Sequence, residues 1–393
     1  MMPKVILGSG KDQSVRRFHP WIFSGAIKKI KGEVAEGMLV EVYSNHDEPL
    51  AVGHYSNGSI AVRVLSFGLE EVNAEFWYNK IAKAYEFRKD SGLIQNRETN
   101  TYRLIHAEGD NLPGLIIDIY DDTAVIQSHS VGMHLIKPLL VEALKKVYGD
   151  TLKAIYDKSA DTMPKLNNME ITNQVLWGQP QSEFVLEYGL KFKIDWEQGQ
   201  KTGFFIDQRE NRKLLQKYCS HKKVLNTFCY SGGFSVYALA AGANLVHSVD
   251  SSKKAITLTD ANVQLNFGDT QKHQSFASDT FHFLEQANET YDVIILDPPA
   301  FAKHHNVKHN AVQGYKRLNV EAMKRIKSGG VLFTFSCSQA IDKSLFQNTI
   351  MSAAILSGRR VRILEYMSQP ADHAPSIFHP EGEYLKGIVL KVY

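Results

Sequence analysis

Two segments in the C-terminal half carry residue types suited to chemistry on a planar base. In Ile294-Ile295-Leu296-Asp297-Pro298-Pro299-Ala300-Phe301 an apolar run ends in an acid and two prolines. Proline fixes φ and lacks an N–H, so the backbone there is rigid and exposes its carbonyls. With Asp297 beside them, Pro298 and Pro299 make an edge that can hold the polar rim of a base. The next apolar run ends Phe333-Thr334-Phe335-Ser336-Cys337-Ser338. Most cysteines are inert small hydrophobes. Cys337 falls at a strand tip among hydroxyls, next to the Asp-Pro-Pro tip, and reads as a nucleophile; Cys219 and Cys229 read as ordinary.

Those tips need a sheet to position them, and the segment Lys223–Gly242, KVLNTFCYSGGFSVYALAAG, sets its frame. Val224 to Phe228 is a short apolar run suited to a buried parallel strand. Ser231-Gly232-Gly233 breaks it, and Phe234 to Ala241 has helical spacing. Strand, glycine turn and helix open a nucleotide-binding α/β sheet, with glycines that admit a close ligand and a helix N-terminus with free N–H groups. Leu245 to Val249 then ends at Asp250, where a ribose diol is commonly held. Asp279, at the third tip, sits where an adenine amine could bind, although an acid there also caps a helix. Asp250, Asp279 and Asp297 thus stand at successive tips.

The 393 residues, 44% of them apolar, suffice for two or three domains. The net charge of +3 decides little, but its distribution does. Residues 1–31 carry seven Lys/Arg, among them Arg16 and Arg17, against one acid, Asp12. Residues 301–327 carry seven, among them Lys303 and Arg317, against one acid, Glu321. Two such segments suit a polyanion such as RNA, the alternative being solvated faces. Three cysteines without metal-ligand spacing suggest a reducing compartment. With no signal-peptide core and no bilayer-length apolar run, a soluble cytoplasmic protein without membrane contact is expected, and no metal site.

Along the chain, residues 1–70 read as a small β-barrel, with strands at Met38–Tyr43 and Ser59–Leu65. Its opening, Arg17-Phe18-His19-Pro20-Trp21-Ile22-Phe23, mixes aromatic and basic residues that can stack bases; alternatively Trp21 and Phe23 fill the barrel core. Residues 71–188 read as a middle α+β domain. From 189 to 393 strands alternate with helices, which means a doubly wound sheet with its ligands beyond the C-terminal strand ends.

Nearly end to end, the chain resembles the class I S-adenosylmethionine-dependent RNA methyltransferases with an N-terminal PUA domain, specifically the bacterial large-subunit rRNA cytosine-C5 methyltransferase I family. The resemblance is carried by His19-Pro20-Trp21-Ile22-Phe23-Ser24-Gly25, Gly109-Asp110-Asn111-Leu112-Pro113-Gly114 and Gly203-Phe204-Phe205-Ile206-Asp207-Gln208-Arg209. It is carried also by Asn226-Thr227-Phe228-Cys229-Tyr230-Ser231-Gly232, Asp297-Pro298-Pro299, Ser336-Cys337-Ser338 and Pro380-Glu381-Gly382-Glu383-Tyr384-Leu385-Lys386. It implies an α/β fold: a PUA barrel, a middle α+β domain and a Rossmann-like sheet with an antiparallel last strand. It also implies S-adenosylmethionine held by Gln208, the bend from Phe228 through Tyr230 and Ser231 to Gly232, Asp250 and Asp279, with Asn226, Ser251 and Thr280 adjoining. The implied partner is RNA, 23S rRNA or a large-subunit precursor, held by Pro298, Pro299, Lys303, Arg317, Arg16 and Arg17; a homodimer is left open. The chain departs from many RNA cytosine-C5 methyltransferases in having Pro299, not a second cysteine, after Pro298.

The chemistry implied is a covalent one. A Cys337 thiolate adding at cytosine C6 makes C5 enamine-like and divides one hard step into two. The thiol would need its pKa lowered, for which the basic segment after Phe301 and the sulfonium charge are the expected causes. Asp297 would stabilise the ring at N3, and the base would be single-stranded or flipped out. Two alternatives stand beside this: methylation of a base nitrogen on the same fold, and a non-catalytic RNA-binding assembly factor.

Overall fold

The computed structural model describes residues 2–164, 170–301 and 308–393. Two compact units form: Met1–Val185 with Ile194–Ile206 and Ala371–Gly382, and Leu186–Lys193 with Asp207–Pro370 and Glu383–Tyr393.

The first unit holds two sheets. One has six strands in the order Trp21–Phe23, Ile60–Phe67, Pro49–Tyr55, Leu39–Tyr43, Lys4–Leu7, Ile27–Lys31. Its edge strands are consecutive in the chain, joined by the single turn Ser24–Ala26, so the sheet curls on itself over Val5, Leu7, Ile22, Val40, Val42 and Val62. Four of these strands, Lys4–Leu7, Trp21–Phe23, Ile27–Lys31 and Pro49–Tyr55, lie outside the two strand spans read from the sequence. Trp21 and Phe23 are not barrel core. Side chains alternate along a strand, and with Ile22 turned inward, Phe23 is 48% exposed and Trp21 half-buried. Trp21 Nε1 instead donates to Glu108 at 2.8 Å, and its ring lies 4.4 Å from that of His379.

The other sheet runs Gln174–Gly178, Ala154–Asp157, Thr123–Ser128, Leu115–Tyr120, Thr101–His106. Helices Ala74–Asp90 and Lys137–Tyr148 share its core through Trp77, Ile81, Leu140 and Leu144.

The second unit is built on a seven-stranded sheet. Its strands are β1 (Lys223–Thr227), β2 (Leu245–Asp250), β3 (His273–Ala277), β4 (Tyr291–Leu296), β5 (Ile326–Ser336), β6 (Val361–Met367) and β7 (Lys386–Val392). They lie in the order β3-β2-β1-β4-β5-β7-β6. The first five are parallel, and β7 inserts antiparallel to both β5 and β6. β1 and β4 are almost wholly buried, as strands covered on both faces must be. Order reverses between β1 and β4, so the tips after Thr227 and Leu296 flank the switch point. Helix Gly233–Ala240 follows β1, and Lys253–Phe267 follows β2. Helix Lys308–Arg325 shares the core of the β4–β5 side through Ala311, Tyr315 and Leu318.

Candidate active site

The bend between β1 and its helix is held in an uncommon backbone shape. Phe228, Tyr230 and Gly232 have φ of 54°, 47° and 74°. Left-handed aromatic residues are costly and persist where the surroundings over-determine them. Here the surroundings do. Asp250 accepts from the backbone N–H of Tyr230 at 3.0 Å and of Ser252 at 2.9 Å. From the helix after β2, Thr259 Oγ1 donates to the Tyr230 carbonyl at 2.9 Å, and Asn262 Nδ2 to the Ser231 carbonyl at 2.9 Å.

The glycines serve packing as well as ligand access. A Cβ on Gly232 would lie 2.7 Å from Thr259 Cγ2, and one on Gly233 would lie 2.9 Å from Arg212 Cδ. Arg212 itself is buried against Glu187, with Nε and a terminal nitrogen each donating at 2.7 Å. Burial works against that charge, but Glu187 outweighs it and holds the guanidinium above its ordinary value.

Around this cradle, Asn226 is buried and donates to Ser235 Oγ at 2.9 Å, while its Oδ1 has no partner among the described residues. Phe228 and Tyr230 are half-buried, Ser231 is buried and Ser251 is exposed. Asp279 is exposed and caps the helix Thr280–Gln286 by accepting from the His282 N–H at 3.0 Å, with Thr280 buried behind it. An acid on the β2 tip, a clamped bend and an unpartnered buried amide oxygen fit a polar nucleoside-bearing cofactor.

The β4 and β5 tips come together. Cys337 Sγ lies 3.9 Å from the Pro298 carbonyl oxygen, the residue after Asp297. Gln208, expected at the cofactor, is found at Asp297: Nε2 donates to Oδ1 at 3.1 Å, while Oε1 accepts from Asn211 at 2.6 Å. Asp207 lies beside the same carboxyl, accepting from Tyr384 OH at 2.7 Å. Burial and the Asp207 charge push Asp297 up to about 7, with Gln208 and Arg212 only partly opposing them.

Burial, with Asp297 and Asp207 adding, pushes the Cys337 thiol up to about 11, and the cation among the described residues that opposes this is Lys386. Pro298 is buried and Pro299 exposed. Arg317 is exposed, paired with Glu285 at 2.8 Å and stacked over Phe281. Lys303 lies outside the described residues. In the first unit Arg16 is exposed but already paired with Asp12 and Glu48, while Arg17 is exposed.

Asp207, Arg212 and Lys386 were not singled out as functional residues in the sequence, although two of them lie in motifs quoted above. What would have found them is pairing across long separations, which local pattern does not carry. Among the described residues no group of three or more His, Cys, Asp or Glu is placed to hold a metal ion. Nor is any helix among them long and apolar enough to cross a membrane.

Comparison with known proteins agrees with this geometry. The profile of the S-adenosylmethionine-dependent methyltransferases matches residues 169–376, and that of the PUA-like domain matches residues 5–67. Ribosomal RNA large subunit methyltransferase I of Aeromonas hydrophila is 40% identical over 399 residues, spanning 100% of both chains. The protein of the same name from Shigella dysenteriae is 37% identical over 100% of this chain and 99% of its own. Among solved structures, SMU.776, described as a methyltransferase complexed with SAH, covers 100% of both chains at 25% identity with a TM-score of 0.85. The chain therefore belongs to the S-adenosylmethionine-dependent methyltransferases, in the family of ribosomal RNA large subunit methyltransferase I.

Proposed function

We propose that the protein methylates large-subunit ribosomal RNA, forming 5-methylcytosine through a covalent adduct at Cys337. The observation that supports this reading is the approach of Cys337 Sγ to the carbonyl of Pro298, the residue after Asp297, at 3.9 Å. The names of the full-length relatives supply the RNA class.

S-adenosylmethionine supplies an electrophilic methyl group; the Phe228–Gly232 bend, Asp250 and Asp279 would hold it. Cys337 loses its proton and its sulfur bonds to C6 of cytosine, turning C5 into a nucleophilic carbon. Asp297, whose pKa of about 7 leaves it largely protonated at mildly acid pH, gives its proton to N3 as charge moves onto the ring. After methylation C5 loses its proton to a base, and the Sγ–C6 bond breaks as N3 returns its proton to Asp297; the sulfur leaves as thiolate and takes back the proton it gave up. The rigid Pro298–Pro299 backbone presents its carbonyls to the exocyclic amine of the flipped base. Arg16, Arg17, Arg317 and Lys303 are the phosphate contacts of this reading.

The test is Cys337→Ala. Methyl transfer to rRNA is expected to vanish while S-adenosylmethionine still binds by calorimetry; a normal rate in the variant overturns the covalent reading. One observation favours the other reading, methylation of a base nitrogen: the thiol is held at about 11, and a bystander cysteine needs no activation. Nucleoside mass analysis of rRNA from a deletion strain separates the two, since loss of 5-methylcytidine supports the first and loss of an N-methylated base the second.

A further inference from the structure

The antiparallel register of β5 and β7 sets Lys386 opposite Ser336, the last residue of β5 and the one before Cys337. Lys386 is only 5% exposed, an unusual state for a lysine. Its Nζ donates to the Ser338 carbonyl at 2.8 Å, so Lys386 meets the residues on either side of Cys337, one by backbone register and the other through its side chain. That carbonyl satisfies one of three ammonium donors. Among the described residues no carboxylate forms an ion pair with Lys386, and a buried cation without a counter-ion is costly.

We infer that Lys386 is a positioning residue for Cys337, taking the thiol proton and holding the sulfur as the thiolate of an ammonium–thiolate pair. This rests on the covalent reading above and extends it to the group that activates the nucleophile. The exchange balances within the pair: the S–H bond breaks, an N–H bond forms, and thiol plus amine become thiolate plus ammonium. The sulfur is then free to add to C6.

Burial works against the charged pair, lowering Lys386 to about 8, and what offsets it is the partner itself: the first group holding Lys386 up is Cys337. Lys386 is in turn the cation that draws the Cys337 thiol down. Once the pair has lost one proton, its titration belongs to both groups jointly.

A merely structural role, tying the Ser338 carbonyl to β7, is the competing explanation. Lys386→Gln separates them, because an amide still donates to a carbonyl but carries no charge and takes no proton. The readout is the rate of iodoacetamide alkylation at Cys337 against pH, followed by mass spectrometry of its peptide. Cys219 and Cys229, both buried with thiols pushed up to about 12, serve as internal blanks. In Lys386→Gln the rate at neutral pH is expected to fall about tenfold or more as the thiolate fraction drops. In Lys386→Arg, which keeps a cation there, most of the wild-type rate should remain. Coincident profiles for wild type and Lys386→Gln would overturn the inference. If Lys386→Gln fails to fold by circular dichroism, Lys386→Arg decides: a neutral-pH rate about tenfold or more below wild type, although a cation is kept there, overturns it too.

The covalent reading is checked apart, by trapping Cys337 of the wild-type protein on RNA carrying 5-fluorocytidine. No adduct there sinks that reading, whatever the alkylation rates show. An adduct with unchanged alkylation in Lys386→Gln sinks only the role of Lys386.

Discussion

The side-chain amide of Gln208 donates to Asp297 at 3.1 Å and is fixed from behind by Asn211. This hydrogen bond favours the ionised carboxylate, so it opposes the burial and the Asp207 charge that raise Asp297. Gln208→Leu removes that opposition. The Asp297 inflection in the pH profile of kcat/KM is expected above 7, with the cofactor Kd changed far less. An inflection that stays put would show that Gln208 acts elsewhere.

The pH profile itself follows from two groups. In the proposed mechanism transfer needs Asp297 protonated and Cys337 ionised, and burial sets these groups at about 7 and about 11. The product of the two fractions rises with pH until Asp297 begins to ionise near 7, then flattens. In Asp297→Asn the break near 7 should vanish, with kcat/KM lowered by roughly 10²–10⁴-fold. Steady-state rates across the range check both statements.

Stability carries the same signature. The folded carboxyl of Asp297 is raised from 3.8 to about 7, so its contribution is fully present below 3.8 and is lost as pH rises through 7. Urea midpoints measured in mildly acid and in neutral buffer should differ less in Asp297→Asn than in the wild type.

Asp250 clamps the Phe228–Gly232 bend, and the proposed function gives it the cofactor ribose as well. Asp250→Ala should weaken S-adenosylhomocysteine binding by about 2 kcal/mol, roughly thirtyfold in Kd, as a charge-assisted hydrogen bond is lost. Titration calorimetry reads this directly, and unchanged affinity would remove Asp250 from the cofactor site.

Glu187 neutralises Arg212, and both are buried. Glu187→Ala leaves the guanidinium without a partner and should cost about 3–5 kcal/mol in urea unfolding. Pairing it with Arg212→Met should recover much of that loss, because the uncompensated charge is gone.

The three acid-bearing tips, the glycine bend and the Asp-Pro-Pro and Ser-Cys-Ser segments were legible in the chain because each is local. An apolar strand, a break and a polar tip lie within ten residues or so, and alternation of strands with helices implies parallel order. Burial and register are set by residues far apart, and there local pattern fell short. The short strands Lys4–Leu7 and Ile27–Lys31 exist through their pairing with each other, not through a strong signal of their own. The inward turn of Ile22, which sets Trp21 and Phe23 outside the barrel core, depends on which face the sheet closes over.

At the candidate site the division is the same. Cys337 and Asp297 could be named from residue type and position at a tip. That burial raises the thiol, that Gln208 donates to Asp297, and that Lys386 pairs across the sheet with the residue before Cys337 were decided by tertiary structure. Proton affinity depends on which charges and how much solvent surround a group, and those are properties of the folded neighbourhood, not of the neighbouring letters.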